Sequence, residues 1–343
     1  MDTFQSSWDE TVDFLVVGSG AAAMSAAITA HDLGARVLLV EKSPQYGGSS
    51  AMSGGGLWVP NNHLMQGQGF TDSPAAAFTY IRGCVGEEVS EARLRAYLDN
   101  APKAVQYLCE NTHLRMHIVP DYADYYQDVP GAMEGGRCLE ASPFDGRRLS
   151  EAEFREMRET APQELIMNRI SMVISEAQAF LTRSPGWIKL LAKRLSEYLG
   201  DFGWRLKSRR DRRCSMGNAL IGPLRLSLKD RNIPLWLNTP ARQLIVENGR
   251  VAGVQGERDG KKYCIRAERG VLLASGGFDN NAQLRERYLP HPTHPDWSCG
   301  NPCSTGDAVQ MGLDVGAGLE FMDEAWWGPT VVVPGEERAR MLV

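Results

Sequence analysis

Two glycine-rich turns and one acid between them carry the recognisable chemistry of this chain. The first is Val17-Gly18-Ser19-Gly20-Ala21-Ala22-Ala23, with Glu41 following 23 residues after Gly18. Gly18 permits a tight turn, Gly20 lets the main chain approach a pyrophosphate, and Ala23 is small enough for a helix to pack closely on a strand. Such a turn directs the unpaired N–H groups of a helix beginning near Ala21 at phosphate oxygens. Glu41 stands where a carboxylate accepts hydrogen bonds from an adenosine ribose, and it would repel a 2′-phosphate. The second turn is Gly47-Gly48-Ser49-Ser50, followed by Ser53-Gly54-Gly55-Gly56. Its hydroxyl donors and bare backbone suit a cofactor larger than NAD. A flavin, with its ribityl chain and ring, needs that close approach, so FAD is the expected ligand.

The elements that must hold these turns follow from the flanking pattern. Phe14–Val17 is a short apolar run ending at glycine, as in a strand buried on both faces, and Val37–Val40 repeats it before Glu41. Asn248-Gly249 and Asp259-Gly260 separate three strand-like runs, which predicts an antiparallel meander. Val271-Leu-Leu-Ala274-Ser275-Gly276-Gly277 ends like the first strand and is expected to reach the cofactor. The expected fold is α/β: a three-layer Rossmann-type FAD-binding domain over 1–286, its parallel sheet carrying the meander. A helical insertion is expected over about 70–213, with helices at 164–181 and 187–206, and the start of an α+β substrate-capping domain over 287–343.

Composition narrows the function classes. A net charge of −5 provides no electrostatic footprint for nucleic acid. Seven cysteines without a repeated C-x-x-C pair argue against a disulfide framework or a structural zinc site, and no metal is expected. Cys299 and Cys303 read as buried or incidental thiols. The uncharged run Phe14–Ala30 is preceded by Asp9, Glu10 and Asp13 and broken by glycine, unlike a signal peptide or a span; a cytoplasmic protein is expected. The basic run Arg205–Arg213 admits peripheral membrane contact, with a solvated helix end the favoured reading. Tyr122, Tyr125 and Tyr126 crowd one loop that could line a pocket for a flat apolar ligand or tuck onto the core.

Taken together, these blocks resemble the flavoproteins related to fumarate reductase, and among them the 3-ketosteroid Δ1-dehydrogenases. The resemblance rests on the segments at 16–23, 47–62, 234–241, 274–281 and 305–307, and on Met322-Asp-Glu-Ala-Trp326-Trp327. It implies desaturation of a 3-ketosteroid A ring: a base removes a proton beside the ketone and the flavin takes hydride from the next carbon. It also implies a small apolar, steroid-like substrate and an external electron acceptor of unknown identity. By the same resemblance, Tyr125 or Tyr126 assists the principal base. FAD contacts carry over to Gly18, Gly20, Ala21, Ala22, Glu41, Lys42, Ser43, Gly48, Ser49, Ser50, Ser53, Gly54, Gly55, Gly56, Ala241, Ala274, Gly276 and Asp307. Ala23 replaces the family's usual glycine. The family's principal catalytic tyrosine and a C-terminal return to the flavin would lie beyond Val343, so a fragment or a truncated chain of little activity is expected. The rival reading is a fumarate-reductase-like flavoprotein for a small dicarboxylate. Trp297, Trp326 and Trp327, with His291 and His294 among prolines, favour an apolar substrate over it.

Overall fold

A computed structural model describes residues 7–336 and 339–341. The chain divides into two compact units, one of residues 1–52, 147–164 and 224–343, the other of 53–146 and 165–223.

The first unit is built on a six-stranded sheet. Its strands are β1 (Glu10–Val17), β2 (Val37–Val40), β3 (Leu235–Trp236), β4 (Ala241–Glu247), β5 (Arg250–Arg258) and β6 (Lys261–Leu273), in the order β3-β2-β1-β6-β5-β4. β1 lies at the centre, parallel to β2 (Val17 opposite Val40) and to β6 (Val17 opposite Leu273). The meander pairs β4, β5 and β6 antiparallel. Both of its turns use left-handed residue pairs, Asn248 and Gly249, then Asp259 and Gly260, the geometry that matches the twist of a tight hairpin. The third strand-like run, after Gly260, and the run from Val271 prove to be parts of β6, which ends at Leu273. One 13-residue strand pairs with β5 along its first half and runs on beside β1, so the meander and the parallel sheet share it.

Leu15, Val17, Leu38, Val40, Val254 and Ile265 form the core of this sheet. α1 (Ala21–Asp32) buries Ala23, Met24, Ala27 and Ile28. Ala23 has no exposed surface, so the third small residue of the fingerprint serves close packing, as its position requires. The described residues from 287 onward cluster with this first unit. The helix Asp307–Asp314 packs on β4, which ties the segment to the sheet.

Helices Pro74–Val85, Glu91–Asn111, Ile174–Leu181 and Trp187–Gly200 dominate the second unit, with a three-stranded antiparallel sheet ordered Leu57–Trp58, Cys138–Ala141, Met116–Ile118. Ser73 caps the first helix by accepting from the Ala76 N–H at 3.1 Å, with Pro74 in the first turn. The helix expected over 164–181 is shorter. Met167 and Asn168 take left-handed backbone conformations, and the α-helix starts only at Ile174. The helix expected over 187–206 breaks at Gly200 and Asp201 and resumes as Phe202–Arg205. Among the described residues, no helix is long and apolar enough to cross a membrane.

Glu140, whose side chain has no exposed surface, receives the Ile174 N–H at 3.1 Å on both carboxylate oxygens. His117 Nε2 stands 3.7 Å away. Burial pushes this carboxyl from 4.5 up to about 7; the Ile174 N–H and Arg213 oppose the rise, and Glu176 adds to it. Between those two pH values the unfolded chain ionises first, so the folded form binds the extra proton and loses stability as pH rises. On this group alone the expected loss from pH 4.5 to above 7 is about 3 kcal/mol. Denaturant titrations across that range should show the loss, and Glu140→Gln should remove most of it. An unchanged pH dependence in the glutamine protein would refute the assignment.

Candidate FAD-binding site

The first unit carries a cleft of about 280 Å³ at the carboxyl ends of β1, β2 and β6. It is lined by Gly18, Gly20, Ala21, Ala22, Glu41, Lys42, Gly48, Ser49, Ser50, Ala241, Ala274, Gly276 and Asp307, which brings together most of the residues expected to contact FAD.

Local hydrogen bonds explain its shape. The Gly18 N–H donates to Val40 O at 2.8 Å, and the Ala274 N–H donates to Val17 O at 2.8 Å, which locks the ends of three strands together. Gly18 has φ +114°, and a Cβ there would stand 2.3 Å from Ala274 O. Only glycine fits that crossing. α1 then begins at the cleft, with Gly20 at its N-cap and its positive dipole end at the lining. Ser50 Oγ accepts the Ala21 N–H at 3.1 Å, so the second glycine turn braces the first.

Glu41 is fixed from two sides. Ser19 Oγ donates to its Oε2 at 2.6 Å, and the Ser43 N–H donates to its Oε1 at 2.9 Å. Each carboxylate oxygen keeps a further lone pair for a ribose hydroxyl. Ser19 Oγ also accepts the Gly47 N–H at 3.1 Å, and so links both turns to the acid. Across the cleft, Lys42 Nζ donates to Thr305 Oγ1 at 2.6 Å and to Asp307 Oδ2 at 2.8 Å. Burial would raise the Asp307 carboxyl, but hydrogen bonds from Lys42 and Thr305 and the lysine charge outweigh it and hold the group below its ordinary value. Ser275 Oγ, on the lining, is buried without a hydrogen-bond partner. A buried hydroxyl is costly to leave unpaired, so this atom fits a polar group supplied by a cofactor. Bare backbone, a helix start, a fixed acid and an unsatisfied hydroxyl therefore all fit FAD.

Five of the residues expected to contact FAD are not in this lining. Ser43 is a buried corner rather than part of the lining; its Oγ accepts from Arg158 Nη2 at 2.9 Å and from the Gln45 N–H at 3.0 Å. Ser53, Gly54, Gly55 and Gly56 belong to the second unit. There Gly55 has its own packing reason: φ is +71°, and a Cβ would meet Met216 C at 2.5 Å. Tyr125 and Tyr126 also belong to the second unit and are largely exposed. The sequence pattern did not single out Ser19, Thr239, Asn301, Cys303 and Ser304, which also line the cleft. Ser19 lies inside the fingerprint, between two positions whose role is to lack a side chain. Cys303 was read as incidental, and it faces the cleft. Among the described residues, no group of three or more His, Cys, Asp or Glu side chains is placed to hold a metal ion.

Comparison with known proteins places this geometry. Residues 13–343 match the FAD binding domain family, and the chain belongs to it. FAD is its cofactor. The chain is 41% identical over 330 residues to the 3-oxosteroid 1-dehydrogenase of Mycobacterium tuberculosis, a match covering 94% of this chain and 57% of that protein. It is 36% identical over 307 residues to the protein of the same name from Comamonas testosteroni, covering 89% and 53%. Among solved structures it is similar to a 3-ketosteroid delta1-dehydrogenase from Sterolibacterium denitrificans in complex with 1,4-androstadiene-3,17-dione. That match has a TM-score of 0.93 and 46% identity and covers 97% of this chain and 60% of that one. The chain thus spans rather more than half the length of these relatives.

Proposed function

We propose that this chain is the FAD-holding part of a dehydrogenase that desaturates the A ring of 3-ketosteroids. One observation carries the reading: the similarity to the Sterolibacterium enzyme, whose bound molecule is a steroid, extends over nearly the whole chain at 46% identity. FAD, when bound, supplies the two-electron acceptor for a hydride. The chain's own residues do the holding. Gly18, Gly20 and the start of α1 take the pyrophosphate, Glu41 takes the ribose, and Ser49, Ser50, Ser275 and Gly276 offer donors and bare backbone to the rest of the cofactor. Resemblance adds Ser43, Ser53, Gly54, Gly55 and Gly56 as FAD contacts.

The tyrosine loop supports a role on the substrate side. Tyr122 and Tyr125 bring their hydroxyls to 3.3 Å, and the Tyr126 N–H donates to Tyr80 Oη at 3.3 Å. The Tyr125 hydroxyl and burial push the Tyr122 phenol above its ordinary range. Tyr122 is therefore neutral at pH 7, which suits a loop that passes or holds a proton beside the main base rather than one that removes it unaided. Of Tyr125→Phe and Tyr126→Phe in the full-length protein, one is expected to lower kcat about 100-fold with little change in flavin content. An unaltered kcat in both variants would remove the loop from the chemistry. The test of the reading itself is anaerobic bleaching of the flavin by a 3-ketosteroid. Failure with every such steroid, or reoxidation of reduced flavin by fumarate, would overturn it.

A further inference from the structure

Residues 301–304 bring polar side chains to the cleft from a stretch far outside both glycine turns. Asn301 is 8% exposed and Ser304 2%, and both line the cleft. Their main chain is tied down. The Asn301 carbonyl accepts the Ser304 N–H at 2.9 Å and Asn280 Nδ2 at 2.7 Å, and the Ser304 carbonyl accepts the Asn280 N–H at 3.0 Å. One residue on, the Thr305 carbonyl accepts Asn281 Nδ2 at 2.9 Å. A loop held at all these points needs no ligand to order it, so its side chains stand ready for one.

The sense of the Asn301 amide is fixed as well. Its Oδ1 accepts the Cys303 N–H at 3.1 Å, which leaves Nδ2, a donor only, for the cleft. Reversed, the amide would set one N–H against another. Nδ2 stands 3.9 Å from the place a Cβ on Gly48 would occupy, beside the second glycine turn. That turn braces the start of α1, where Ser50 Oγ accepts the Ala21 N–H. At the other end of the loop, Ser304 Oγ lies 3.3 Å from the place of a Cβ on Gly276, next to Ser275. Among the described residues, neither Asn301 Nδ2 nor Ser304 Oγ has a hydrogen-bond partner. Polar groups of buried residues are rarely left unpaired, and Ser275 Oγ is a third around the same cleft.

We infer that Asn301 and Ser304 bind FAD, the Asn301 amide by donating to the pyrophosphate. A donor-only group beside the turn that braces α1 meets the anionic part of the cofactor, which offers acceptors alone. Ser304 adds a hydroxyl at the end of β6, alongside Ser275. The inference rests on FAD as the cofactor and not on the steroid reading.

Asn301→Asp is the discriminating change. One oxygen still accepts the Cys303 N–H, so the turn is kept, while the donor becomes part of a carboxylate. Flavin fluorescence on dilution of the full-length flavoprotein reads the FAD dissociation constant, and release of flavin by added ADP reads the affinity for the phosphate-bearing half. Asn301→Asp is expected to weaken FAD and ADP alike, by about 100-fold, through a lost charge-assisted bond and added repulsion. Asn100→Asp, the same change on an exposed helix of the other unit, should alter neither. Ser304→Ala should weaken FAD about fivefold, yet leave the urea midpoint of the flavin-free protein unchanged or higher, because without cofactor that hydroxyl has no bond to lose. Circular dichroism checks the fold of each variant. Unaltered FAD binding by Asn301→Asp, or weakened FAD with ADP unaffected, would overturn the pyrophosphate assignment. A lowered midpoint or unaltered FAD binding in Ser304→Ala would overturn the role of that hydroxyl. Failure of the FAD reading itself is distinct: it would show in the unaltered protein, as a chain that holds no flavin.

Discussion

Replacing Gly18 by alanine is expected to yield protein that purifies without flavin and is less stable by about 3 kcal/mol or more. Two costs combine. A backbone at φ +114° is one that side-chain-bearing residues rarely adopt, at about 1–3 kcal/mol. The added Cβ would also stand 2.3 Å from Ala274 O and 2.7 Å from Ala274 C, and main chain in a sheet cannot turn aside as a flexible side chain can. Crowding of that kind costs about another 1–3 kcal/mol. Relief requires the end of β1 to part from the end of β6. That movement would break the Ala274-to-Val17 hydrogen bond and displace Gly20 and the start of α1 from the phosphates. Gly318→Ala is the matched control, because a Cβ there meets nothing within 4 Å. Flavin absorbance per protein and urea unfolding midpoints measure both effects. A Gly18→Ala protein with a full complement of flavin would show that this crossing does not shape the site.

How far the sequence pattern reaches depends on whether a signal is local. The fingerprint from Phe14 to Glu41 is local: strand, turn, helix and acid follow within 30 residues, and each lies where its spacing predicts. The hairpin turns at 248–249 and 259–260 were legible for the same reason. Ser43 stands outside the lining although Glu41, two residues before it, is on it, because the Ser43 hydroxyl is drawn to Arg158, 115 residues away. Contacts between segments far apart in the chain leave as little trace in the sequence. Nothing near residue 307 announces that Asp307 closes on Lys42. The helix expected from Glu164 failed on two left-handed residues, Met167 and Asn168, in a stretch whose apolar spacing would have suited a helix.

The other large effect concerns a residue that the sequence pattern passed over. Arg137→Met is expected to destabilise the second unit by about 3–5 kcal/mol, the range for removing one partner of a buried charge network. Arg137, Asp72 and Asp124 are each 97% or more buried. The guanidinium grips Asp72 with two bonds, of 2.9 and 2.7 Å, and Asp124 with one of 2.7 Å, and it also donates to the Gly131 carbonyl. Burial works against its charge, and the two aspartates outweigh that and raise its pKa. Methionine would fill much of the volume yet leave two carboxylates in the interior without their cation. Each aspartate also fixes main chain: Asp72 accepts the Asn61 and Ser73 N–H groups, and Asp124 accepts the Met133 N–H and the Trp58 indole. The loss should therefore spread to the neighbouring loop that carries Tyr125 and Tyr126, read as faster amide exchange over 121–133. Asp72→Asn/Asp124→Asn/Arg137→Met removes all three charges and should recover part of the stability, because the cost lies in unpaired charge rather than in lost packing. Urea unfolding followed by tryptophan fluorescence separates the cases. If Arg137→Met unfolded at the same urea concentration as the unaltered protein, the guanidinium would not be what holds the tyrosine loop in place.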